Sequence, residues 1–140
     1  MNPDASPPYE FLEHTADIRL RAHGCSLEEL FINSAQGMME YIFGTEARCL
    51  DTDSEECISL SAAEPDVLLV DWLSAVLLKI SLEKRIFPRI VFDEFSKQHL
   101  RARLYGAAAI AREEIKAVTY YDLSIKQTAK RWETVITFDI

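Results

Sequence analysis

A chain of 140 residues with 49% apolar and 27% charged side chains has the make-up of one globular domain and is too hydrophobic to remain disordered. At this length folding should bury roughly 65–70% of the surface of the extended chain, so the core needs no staple and no structural metal. The 15 Lys and Arg against 23 Asp and Glu leave a formal charge of −8, which gains little from counterion release and argues against strong direct nucleic-acid binding.

Residues 1–8 hold three prolines with Asn, Asp and Ser and read as a flexible tail, which puts the folded domain at 9–140. Strands are predicted over 9–13 and 17–23; in the second, Ile18, Leu20 and Ala22 alternate with Arg19, Arg21 and His23, and Gly24 ends it. Ser26 and Glu29 form a capping box that opens a helix, with an apolar stripe of Leu27, Leu30, Phe31, Ala35, Met38, Met39 and Ile42, stopped at Gly44. A short strand follows over 57–60. Pro65, between Glu64 and Asp66, suits the first turn of a second helix. That helix is apolar around most of its circumference, Leu78 included, which predicts a central helix covered on more than one side. A hairpin over 86–105 turns at 96–98, and Leu100, Ala102 and Leu104 should face inward. A connection over 106–114 has no legible structure, and strands over 115–125 and 132–138 flank a turn near 128–131. Strands gathered at the two ends of the chain favour α+β, with two helices on a mostly antiparallel sheet.

Cys25, Cys49 and Cys57 are odd in number and lack a C-x-x-C spacing, which argues against a disulfide framework or zinc ribbon and for buried or passive thiols in a reducing cytoplasm. The first ten residues have neither the basic nor the apolar region of a secretory signal. The apolar run over 67–82 is broken by Asp71 and Lys79 and is short for a bilayer. A cytoplasmic protein is expected.

Phosphate-binding glycine loops and the G-x-S-x-G elbow are absent. Cys25 lies near His14 and His23 in sequence, but nothing orients them, and a structural cysteine is the better reading. Carboxylates remain. Asp17 opens a strand, and Asp139 is followed by Ile140 and its terminal carboxylate. If the last strand pairs beside Asp17, three anionic oxygen donors converge, a costly cluster unless a cation neutralises it. Such hard donors suit calcium, magnesium or manganese, and around calcium they would leave about three to five positions open. On spacing alone, the plainer explanation of a strand-opening aspartate and a frayed terminus outweighs this one. A small metal-dependent hydrolase built on Asp17 and Asp139 lacks a general base other than His14.

The segment YEFLEHTADI over 9–18 resembles the opening signature of the archease family. SLEELF over 26–31, LLVDWL over 68–73, EIKAVTY over 114–120 and the closing Phe138, Asp139 and Ile140 resemble its further signatures, in order across nearly the whole chain. The resemblance implies an α+β fold and a non-enzymatic accessory protein for an RtcB-type RNA ligase. That ligase joins a 2′,3′-cyclic phosphate or 3′-phosphate end to a 5′-hydroxyl, using GTP and a divalent metal. The accessory factor promotes guanylylation and multiple turnover of the ligase in tRNA splicing or RNA repair. Carried over residue by residue, the implied metal ligands are Asp17, Asp139 and the Ile140 terminus, and the implied ion is calcium. Three positions depart from the family pattern: Arg19 replaces a common glycine, Tyr121 a common histidine, and Ala107 a usual acidic residue. These bear on partner affinity rather than on the ligands. The acidity would let such a helper approach the rim of a basic RNA channel without competing for RNA, although plain solubility explains it equally well. The alternative is a chaperone-like protein-interaction module without a ligase-specific role.

Overall fold

The computed structural model of the protein describes residues 7–12 and 17–140. In chain order the elements are β1 (Tyr9–Leu12), β2 (Asp17–Gly24), α1 (Leu27–Phe43), a short 3-10 helix (Thr45–Cys49), β3 (Ser54–Ser61), α2 (Pro65–Glu83), β4 (Arg85–Phe95), β5 (His99–Ala108), β6 (Ala117–Thr119), β7 (Lys126–Gln127) and β8 (Trp132–Asp139). Among the described residues every strand pairing is antiparallel, but the strands form two sheets where one was expected. In the first, β2 and β8 pair from Asp17 opposite Asp139 to Gly24 opposite Trp132; β1 flanks β2, while β6 and β7 share the far side of β8. In the second, β5 runs between β3 and β4. The α+β class, with two helices packed on antiparallel sheets, is as the sequence predicts.

Both helices pack against strands of both sheets, so one core serves the whole domain. The first helix starts where its capping box predicts. Ser26 Oγ accepts from the Glu29 amide at 3.1 Å, and the Glu29 carboxylate accepts from the Cys25 amide at 3.3 Å, one residue upstream of the cap. Gly44 ends the helix at φ 86°, a conformation that favours glycine. The stripe from Leu27 to Ile42 is buried as predicted. The second helix, α2, is less enclosed than its composition suggests. It buries Leu68, Leu69, Trp72, Leu73, Val76 and Ile80, but Leu78 is 58% and Leu82 73% exposed. Trp72 joins the layers: its Nε1 donates to the Phe31 carbonyl at 3.0 Å, and its ring packs 5.1 Å from that of Phe92.

Several local expectations are corrected. The strand predicted over 115–125 survives only as β6, and the chain leaves the sheet before returning as β7. The departure is a turn in which the Leu123 amide donates to the Tyr120 carbonyl at 3.1 Å and Asp122 takes a left-handed φ of 53°. The detour is tied down by Asp66, which accepts from the Ile125 amide at 3.3 Å, and by Thr134, whose hydroxyl donates to the Ser124 carbonyl at 3.1 Å. Within the illegible connection, Ala107 and Ala108 belong to β5. The Arg112 and Glu113 amides both donate to the Ile42 carbonyl, at 2.7 and 3.2 Å, closing the end of α1. Cys25, Cys49 and Cys57 are free, as predicted, and all three are exposed, which excludes burial of the two alternatives, buried or passive. Of the predicted tail, 1–6 lie outside the described residues, and the Pro8 carbonyl already accepts from the His23 amide at 3.0 Å. Among the described residues no helix is long and apolar enough to cross a membrane.

Candidate functional site

Strand alternation decides what the β2–β8 pair offers to solvent. Leu20 and Ala22 of β2, with Ile136 and Phe138 of β8, are buried in the core, so Asp17, Arg19 and Arg21 share the opposite face with Val135, Thr137 and Asp139. At the end of this outer face Asp17 and Asp139 stand directly across the ladder. Residues so placed have Cβ atoms about 4.5–5.5 Å apart, within reach of one ion, and like charges in this position repel. Asp17 Oδ1 is shielded from solvent, whereas Asp139 is exposed. The Asp139 backbone is held from both sides, by its pairing with Asp17 and by the Lys116 amide, which donates to its carbonyl at 2.7 Å. Ile140 follows, 40% exposed.

The structure therefore brings together the two aspartates that the sequence sets apart by the length of the chain. Their oxygens form a hard donor set that fits calcium or magnesium better than a thiophilic metal. Among the described residues no three Asp, Glu, His or Cys side chains gather into a metal-binding group. His14, weighed above as a general base beside Asp17, lies outside the described residues. Of the positions that depart from the archease pattern, Tyr121 is 67% exposed on the detour beside the sheet, and Ala107 is 5% exposed and packed in the core. Arg19 is on the outer face, one same-face step along β2 from Asp17.

The sequence reading missed what lies farther along that face. A groove of about 520 Å³ is bounded by Arg19, Arg21, Lys126 and Arg131, with Asp122 and Glu133 between them. Alternation in β2 puts the first two arginines on a wet face, but only the pairing of Lys126 with Glu133 brings the far wall into range.

A model of the Archease protein family (MTH1598/TM1083) matches residues 9–140. The chain belongs to the archease family. It is 33% identical to the protein archease of Methanosarcina mazei, the match covering 99% of both chains. It is 36% identical to that of Methanosarcina barkeri, over 94% of this chain and 95% of the other. Its fold is similar to the solution structure of Methanobacterium thermoautotrophicum protein 1598, with a TM-score of 0.76 at 25% identity, covering 95% of this chain and 99% of that one. It is also similar to the crystal structure of a Thermotoga maritima archease, described as a possible chaperone, with a TM-score of 0.64 at 27% identity over 92% and 94% of the two chains. Membership of the archease family is thus carried by sequence and fold together.

Proposed function

We propose that this archease-family protein is a cytoplasmic, non-enzymatic accessory factor that activates an RtcB-type RNA ligase, promoting its guanylylation and repeated turnover in tRNA splicing or RNA repair. Asp17, Asp139 and the terminal carboxylate of Ile140 hold a divalent cation, calcium in the first instance. The observation that carries this reading is the register of β2 against β8, which sets two carboxylates face to face in a member of the archease family. When bound, the cation neutralises the facing carboxylates and offers open coordination positions to a partner. The protein's own contribution is positional. β2 and β6 grip the main chain at Asp139 from either side, so its carboxylate is presented at the rim of the sheet with little entropy left to lose on docking. The exposed free thiols suit a reducing compartment.

The test is to mix the protein with its cognate RtcB-type ligase and GTP under limiting metal. Faster formation of the ligase–GMP adduct is expected, reduced by Asp139→Asn; an unchanged rate sinks the proposal. The description of the Thermotoga maritima relative as a possible chaperone favours a second reading, a general protein-interaction module. That reading predicts equal suppression of heat aggregation for the ligase and for unrelated proteins, with no effect on guanylylation.

A further inference from the structure

The groove on the outer face of the five-stranded sheet has the wrong sign for this protein. The chain carries a formal charge of −8, yet four cationic side chains, Arg19, Arg21, Lys126 and Arg131, line one depression against only Asp122 and Glu133. We infer that this groove is a binding site for a compact phosphate-bearing anion, gripped by Arg19 and Arg21 from one wall and Lys126 from the other.

Arg19 carries most of the argument. Its side chain is 26% exposed, the carboxylate of Asp122 stands 3.7 Å away, beyond hydrogen-bonding distance, and its buried Nε has no hydrogen-bond partner among the described residues. A guanidinium stripped of most of its water with a donor unspent is costly, and a phosphoryl group accepting parallel N–H bonds is the ligand that best repays it. Arg21 projects from the same face two residues on, about 6.6 Å along the strand, near enough for the two long side chains to converge on one phosphate-bearing ligand. Its bond to Glu10, at 3.0 Å between half-exposed side chains, is a surface pair that an anion can displace. Lys126 is exposed and has no partner among the described residues other than its backbone pairing with β8. The strands fix these side chains without the cation proposed above, so the groove works with or without it. The remaining surface is acidic and repels a long polyanion, which favours a compact ligand over a nucleic-acid strand. A volume of about 520 Å³ suits a ligand of mononucleotide size.

The test is a titration of the isotope-labelled full chain with tripolyphosphate in the presence of EDTA, followed by amide chemical shifts. Saturable changes are expected at Arg19, Arg21, Lys126 and residues 131–135. Arg19→Gln and Arg21→Gln should each weaken binding about tenfold, and Lys126→Ala somewhat less, while Arg89→Gln on the other sheet leaves it unchanged. The proposal is overturned by unsaturable changes, by variants that bind like the parent, or by sulfate binding as tightly as tripolyphosphate. Tighter binding of a single-stranded RNA oligonucleotide through the same arginines also overturns it, in favour of a strand-binding surface.

Discussion

The outer faces of the two sheets carry charges in opposite conditions. On the three-stranded sheet they are matched. Arg103 donates to both carboxylate oxygens of Asp93, from Nε at 3.1 and 2.9 Å, and again from Nη2 at 2.9 Å. Glu94 is shared between Arg101 and His99, each at 2.8 Å, and the Arg89 guanidinium sits 4.7 Å from the centre of the Tyr105 ring. On the five-stranded sheet Arg21 also has a partner, in Glu10, but two aspartates face each other at one end, and two residues away the buried Nε of Arg19 has no hydrogen-bond partner among the described residues. A charge that has found its opposite within the fold is a solvated structural pair, worth little and asking for nothing. Like charges that the backbone register sets face to face keep a capacity for something outside the chain. Function is therefore sought on the first sheet and not on the second.

The contrast presupposes that both sheets rest on a single core. Trp72→Ala removes a ring held between α1 and β4 and should cost about 3–5 kcal/mol, with both sheets melting in one transition during chemical denaturation. Two separate transitions would show that the faces belong to independent units and make the comparison void. Next in size is the effect on cation binding. Asp17→Asn and Asp139→Asn should each lower calcium affinity at least tenfold by calorimetry, while Asp93→Asn leaves it alone. An equal loss for all three variants would erase the distinction between the faces.

A C-terminal tag should weaken calcium binding while an N-terminal tag leaves it intact, which separates the terminal carboxylate from the aspartates. Stability sharpens the comparison further. In chelator, Asp139→Asn relieves a facing like charge and should raise the melting temperature by about 1–4 °C, whereas Asp93→Asn loses its arginine partner and should lower it slightly. The smallest effect is in the pH dependence. Hydrogen bonds from Arg103 hold the Asp93 carboxyl below its ordinary value of 3.8. Its contribution to stability is therefore complete above that value and is lost as acid protonates the folded-state carboxylate. The gap between parent and Asp93→Asn should close on acidification, and a gap that widens would mean that the ion pair is not its source.

Local chemistry was legible along the chain. The capping box at Ser26 and Glu29, the stop at Gly44, the apolar stripe of α1 and the inward alternation of Leu100, Ala102 and Leu104 all follow from residue type and period, because each is decided within one or two turns of backbone. The same sequence signatures that resemble the archease family reached both ends of the domain. What the sequence left open were relations between distant segments. The division into two sheets, the exposure of Leu78 and the cysteines, and the interruption of the strand predicted over 115–125 depend on which neighbours arrive from elsewhere in the chain. So do the meeting of Asp17 with Asp139 and the groove that Lys126 completes opposite Arg19. Propensity is a property of a few consecutive residues, whereas the cost of two facing carboxylates exists only after strand register has put them side by side.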